Sequence, residues 1–249
     1  MRGLARWPGA LAVAVLVLVS GCAGPSRMAA PATSPPPVTA LPLLLTFDDG
    51  PDPTWTGRVL DILAWKHVHA IFCMTGEHAA MHPDLVRRVV AEGHQLCDHS
   101  VDHPHILTLD SAHQIGQVQH GYDMIVAASG GVAPRWWRAP YGQSRTGLDG
   151  YAHSIGLTAI GWHAQGSDWS AGITPAQVEA FEESPTDGLA AVPLVDHAVV
   201  PNTPPGVAVV LLHDAQGELH TTGSADRWPG TTVLVSLIDR YQVADPATL

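Results

Sequence analysis

The chain has 249 residues, with 12 Lys and Arg against 23 Asp and Glu and a formal charge of −11. It has no basic stripe, which argues against nucleic acid as a partner because phosphates demand Lys and Arg. Its length suits one well-buried domain and is too short for two, and no internal repeat divides it.

Arg2 and Arg6 precede an apolar stretch from Ala10 to Val19, followed by Ser20-Gly21-Cys22. That is the order of a charged region, an apolar region and a small-residue cleavage site. The apolar run is shorter than the roughly 20 residues a membrane span needs. Cys22 directly after Val19-Ser20-Gly21 resembles the bacterial lipobox, whose new N-terminal cysteine carries diacylglycerol; the alternative is an ordinary signal peptide with an incidental cysteine. On either reading residues 1–21 are an export signal. Their removal takes away Arg2 and Arg6 and no acid, moving the formal charge from −11 to −13. Residues 22–41 are rich in Ala, Pro, Ser and Thr around Pro35-Pro36-Pro37, a composition that stays extended and serves as a tether. The globular domain is then 42–249, expected on the outer face of a bacterial cell membrane as a lipoprotein, or secreted if Cys22 is not lipidated.

Within the domain, Leu43 to Phe47 reads as a buried strand and Thr54 to His67 as a helix with Val59, Leu60, Ile62 and Leu63 on its apolar side. A strand at Ala70 to Met74 follows, then a helix from Pro83 to Glu92 ended by Gly93. The series continues with a strand at His94 to Cys97, a helix at Ser111 to Ala128, and strands at Arg135 to Arg138 and Thr158 to Trp162. Thr174-Pro175 has the pattern of a capped helix start. Val207 to Leu212 closes the series as a strand and Thr231 to Tyr241 as a helix; Glu182 to Pro205 reads only as a loop. Cys73 and Cys97 fall in neighbouring predicted strands, where a disulfide and two buried thiols are both open. Repeated strand-then-helix units imply parallel strands covered by helices, an α/β sheet or barrel whose functional groups gather at the carboxyl ends of the strands.

Four clusters lie at such ends: Thr46-Phe47-Asp48-Asp49-Gly50, His99-Ser100-Val101-Asp102-His103, Arg138-Ala139-Pro140-Tyr141-Gly142 and Leu211-Leu212-His213-Asp214. Gly50-Pro51 ends the first strand where the backbone can turn both aspartates inward. His99 and His103 are four apart, which on one helical turn puts both rings on the same side. Asp49, His99 and His103 therefore make a ligand set for one divalent metal, zinc first and cobalt, nickel or iron next, with positions left for water and substrate. A bound metal lowers the pKa of water toward about 7, so a neighbouring carboxylate can take its proton. Taken singly, Asp-Asp-Gly is also a plain turn and His-x-x-x-His a solvated helix face.

Jointly, the clusters resemble the polysaccharide deacetylase family, the NodB-homology or carbohydrate esterase family 4 domain, from about Leu43 to Val243. The resemblance implies a distorted (β/α)-barrel of seven strands and metal-dependent removal of acetyl groups from sugars, most often N-acetylglucosamine in a polymer. It also implies roles. Asp48 is the general base, Asp49, His99 and His103 hold the metal, and Ser100 shapes their loop. Arg138 orients Asp48, the Tyr141 backbone N–H receives the oxyanion, Leu211 lines the pocket for the acetyl methyl, and His213 is the general acid, tuned by Asp168. Trp169 is a groove wall or a core residue. The chain departs from the family pattern at His163 and Gln165, where aspartates are common, which bears on substrate preference and rate. The expected partner is an acetylated polysaccharide, peptidoglycan first and chitooligosaccharide or poly-N-acetylglucosamine next, with no obligate protein partner. O-acetylated xylan and a catalytically silent, metal-containing glycan-binding module are the alternatives.

Overall fold

Leu43-Leu44-Leu45-Thr46-Phe47-Asp48 is buried at every position, as a strand must be when helices and neighbours cover both of its faces. This strand, β1, sits inside a parallel sheet. The computed structural model describes residues 41–165, 203–215, 234–235, 237–239 and 241–249. In chain order these hold β1 (Leu43–Asp48), α1 (Thr56–Lys66), β2 (Ile71–Met74), α2 (Gly76–Met81), α3 (Pro83–Ala91), β3 (Gln95–Asp98), α4 (Ser111–Ser129), β4 (Trp136–Trp137), α5 (Thr146–Ser154), β5 (Thr158–Ala159), β6 (Ala164–Gln165) and β7 (Ala208–His213). The strands lie in one seven-stranded sheet in the order β5-β4-β3-β2-β1-β7-β6. From β1 to β5 each strand neighbours its successor, β6 pairs with β7, and β7 returns beside β1, the path of a (β/α)-barrel whose row ends at β5 and β6.

Alternation along the strands separates two cores. Leu43, Leu45 and Phe47 join Phe72, Met74, Leu96, Val210 and Leu212 against Val59, Leu60 and Leu63 of α1 and Val86 and Val89 of α3. The opposite, inner face carries Leu44, Ile71, Cys73, Cys97, Trp136, Val207 and Val209. Cys73 and Cys97 are register partners on β2 and β3 and form a disulfide, which settles the choice the sequence left open.

Local signals set most helix ends. Asp110 caps α4 by accepting the His113 N–H at 2.9 Å, Gly130 ends it in the left-handed region at φ 79°, and Pro83 opens α3. The strand expected over Thr158 to Trp162 stops at Ala159. The carbonyls of Ile160 and Gly161 accept from the Arg138 guanidinium at 3.3 and 3.1 Å instead of continuing a ladder. Helix α2 is absent from the sequence reading; Thr75 caps it weakly, at 3.4 Å from the His78 N–H. Helix α5 was hidden by Gly147 and Gly150. The segments 1–40 and 166–202, with Cys22, the tether and the helix start at Thr174, lie outside the described residues. Residues 234–235 and 237–239 are helical, within the last predicted helix.

Candidate active site

The inner-face alternation runs straight into the polar clusters. Asp48 keeps the parity of Leu44, His213 that of Val209, Arg138 that of Trp136 and His99 that of Cys97, so a stripe that is apolar within the barrel becomes ionisable at the strand ends. Asp48 and His213 are register partners across β1 and β7.

Arg138 and Asp48 are 1% and 3% exposed. Arg138 Nη1 donates to Asp48 Oδ1 at 2.5 Å and to Thr46 Oγ1 at 2.9 Å. Its Nε and Nη2 go to the Ile160 and Gly161 carbonyls, and Trp162 lies 5.6 Å from the guanidinium carbon. All three guanidinium nitrogens donate, in four hydrogen bonds, which holds the Asp48 carboxylate beside the cation with a defined orientation.

Beside it, Asp49 leaves the strand with φ 73°. Its Oδ1 lies 3.4 Å from His99 Nε2 and 3.5 Å from His103 Nε2, and this buried oxygen has no hydrogen-bond partner. These separations are long for hydrogen bonds. They match the edges of a tetrahedron, since ligand bonds of about 2.1 Å at tetrahedral angles put donors about 3.4 Å apart. One donor atom from each of Asp49, His99 and His103 falls within 4.8 Å of the others, so the residues fit a divalent ion. The rings converge differently from the helical turn expected. Residues 99–103 form a loop in which Ser100 and His103 take φ of 70° and 56° and Ser100 Oγ accepts the His103 N–H at 3.1 Å. His99 Nδ1 is 2.7 Å from the Arg138 carbonyl; because that oxygen only accepts, Nδ1 carries the proton and Nε2 faces the site.

Electrostatics favour ligation. Burial works against charge on Asp49, but His99, His213 and His103 outweigh it and hold the carboxyl well below the usual range. Burial and the neighbouring His99 push His103 down to about 4, keeping the ring neutral. At His99 burial is outweighed by Asp48 and Asp49, which raise it, so a cation there competes with a proton.

Tyr141 is 44% exposed at φ 55°, its ring 4.4 Å from His103 and stacked at 4.1 Å on His105. Leu211 is buried at the end of β7. His163 serves the sheet: its Nδ1 accepts the Val209 N–H at 2.9 Å, and burial lowers its pKa. Asp168 and Trp169 lie outside the described residues, as does the Gln165 side chain. Sequence reasoning missed four supporting groups. Thr46 shares Arg138 with Asp48. His78 Nδ1 meets the Asp49 carbonyl at 2.6 Å. Asp98 Oδ1 accepts the Ser100 N–H at 3.0 Å. Asp214 Oδ2 accepts from Thr56 Oγ1 at 2.7 Å, and burial, opposed by that bond and reinforced by Asp49 and Asp48, lifts its pKa to about 7. A methyl on Gly50 would sit 2.3 Å from the Asp214 carboxylate, so only glycine lets the first loop pass there. Thr46 and Asp214 were the two of these inside recognised clusters.

Comparison with known proteins gives the same family. A chitooligosaccharide deacetylase of Rhizobium leguminosarum is 36% identical over 172 residues, 69% of this chain and 71% of that protein. A peptidoglycan-N-acetylglucosamine deacetylase of Bacillus cereus is 29% identical over 190 residues, 76% of this chain and 62% of that protein. The family 4 carbohydrate esterase of Streptomyces lividans, at 24% identity, superimposes with a TM-score of 0.61 over 80% of this chain and 86% of its own, which establishes the shared fold. The polysaccharide deacetylase family model matches residues 37–160, across the first three strand-end clusters, and with the Rhizobium relative this establishes that the chain belongs to the polysaccharide deacetylase family.

Proposed function

We propose that residues 42–249 form the catalytic domain of a metal-dependent deacetylase that removes acetyl groups from N-acetylglucosamine residues of a polysaccharide, peptidoglycan first and chitooligosaccharide or poly-N-acetylglucosamine next. The observation that carries this reading is the convergence of Asp49, His99 and His103 beside the buried Asp48–Arg138 pair, with His213 opposite Asp48 across β1 and β7. When bound, a divalent metal on those three ligands, zinc by preference, acidifies water and polarises the acetyl carbonyl.

The chain's own residues do the rest. Asp48, held by Arg138, accepts the proton of the attacking water. The Tyr141 N–H donates to the carbonyl oxygen, where negative charge develops as water adds to the carbon. As the carbon–nitrogen bond breaks, His213 gives a proton to the departing amine, which is a poor leaving group without one, and an imidazole can do so near neutral pH. Leu211 lines the acetyl methyl pocket, and Asp168 and Trp169 take the tuning and groove-wall roles of the family pattern. An export signal, a lipid on Cys22 and the tether would hold this domain on the outer face of a bacterial membrane, with its own cell wall within reach; without lipidation of Cys22 the protein would be secreted.

Acetate release by the 42–249 domain from peptidoglycan, chitopentaose and acetylated xylan, each after chelation with and without added zinc, tests the reading. Zinc-dependent release from an N-acetylglucosamine substrate supports it. Release from xylan alone makes the protein an O-acetyl esterase, and no release from any of the three by folded, zinc-loaded protein points to a glycan-binding module.

A further inference from the structure

The two loops that carry the metal ligands are both fastened to the start of α2. Backbone N–H groups of Thr75, Gly76 and Glu77 donate to the carbonyls of Gly50, Ser100 and Val101 at 3.1, 2.8 and 3.0 Å. One side chain completes this fastening. His78 Nδ1 lies 2.6 Å from the backbone carbonyl of Asp49, and since a carbonyl only accepts, Nδ1 is the donor. On the other side of Asp49, its N–H donates to the Cys73 carbonyl at 3.1 Å. Both peptide groups of Asp49 are therefore held while its φ stays at 73°, a conformation an L-residue keeps only where its surroundings impose it. The direction of the carboxylate follows from that backbone.

We propose that His78 is a positioning residue for the metal centre: its Nδ1–H···O=C bond fixes the Asp49 backbone so that the carboxylate points at His99 and His103, and so sets the affinity for the ion. This rests on the metal reading of the site. His78 acts through Asp49, and no sequence motif named it.

Zinc affinity of the purified domain, measured by competition with a chromophoric chelator, and the cobalt absorption spectrum of the same proteins test the assignment. In Asn the side-chain amide nitrogen occupies the place of Nδ1, so His78→Asn keeps a donor there. His78→Asp has the same size but offers only acceptors to a carbonyl. His78→Ala should weaken zinc binding about 10-fold or more, the usual effect of losing an outer-shell partner. His78→Asn should stay within about 3-fold of wild type with an unchanged cobalt spectrum, and His78→Asp should bind no better than the alanine variant. A role in packing alone would treat Asn and Asp alike. Wild-type affinity in both the Ala and Asp variants, or an Asn variant as weak as Ala, overturns the proposal. A wild-type domain that binds no zinc overturns the metal reading together with it.

Discussion

Replacing Arg138 with methionine tests how the proposed base is held. The substitution keeps an unbranched side chain of similar reach and removes the bonds at 2.5 and 2.9 Å to Asp48 and Thr46 and at 3.3 and 3.1 Å to Ile160 and Gly161. Asp48, 3% exposed, is then a buried charge without its cation. Removing one partner of a buried pair costs about 3–5 kcal/mol. In a domain of this size each kcal/mol moves the thermal midpoint by about 2–4 °C, so a drop of roughly 6–20 °C is expected at pH 7. Adding Asp48→Asn removes the stranded charge, so the double variant should be more stable than Arg138→Met alone although it carries one more change. Thermal and urea unfolding followed by circular dichroism measure both effects. An Arg138→Met domain within about 1 kcal/mol of wild type, or a double variant less stable than the single one, would refute the reasoning.

The remaining expectations concern the other groups. Asp48→Asn should lower kcat by about 10²–10⁴-fold, the usual worth of a general base, while zinc stoichiometry and glycan binding, measured by dialysis and calorimetry, stay as in wild type; hydrolysis equal to wild type would remove Asp48 from that role. His213→Ala should reduce kcat by a similar factor with little change in KM, read from initial rates of acetate release. His94, far from the site at the start of β3, gives a pH signature. Burial, with His69 and Arg88, lowers its pKa from 6.5 to about 4, and its Nδ1 accepts the Ala70 N–H at 3.2 Å, a bond protonation would break. The unfolded chain binds this proton between pH 6.5 and 4 and the fold does not, so stability falls as pH is lowered through that window, by on the order of 3 kcal/mol. His94→Asn keeps an acceptor and cannot titrate, so its urea-unfolding stability should fall less between pH 6.5 and 4 than that of wild type.

What the sequence made legible was the inner face of the strands. Leu44, Thr46 and Asp48, or Val207, Val209, Leu211 and His213, can be read as one stripe from period-two alternation, and the stripe's polar end is the site. Backbone geometry beyond the strands was less legible. His-x-x-x-His has helical spacing, yet Ser100 and His103 lie in the left-handed region, because Asp98 and α2 hold the loop by bonds to its backbone, which leave no mark in spacing. Helix α2 is six residues long with one polar cap, too short for a periodic signal, so His78 stayed hidden with it. The strand predicted at Thr158 to Trp162 failed where Arg138 captured two carbonyls, a long-range competition that local propensity does not encode. His163, where the family pattern has aspartate, pairs with Val209 of β7 through its ring nitrogen, a contact between distant residues that its place in the sequence did not announce.

Titration of the chelated domain with zinc, with acetate release from chitopentaose followed at each addition, tests the central claim most directly. The account predicts release rising from near zero to saturation at one equivalent per chain, and no rise at stoichiometric zinc in Asp49→Ala or His103→Ala. Full activity in the chelated protein, or normal zinc activation in those variants, would contradict it.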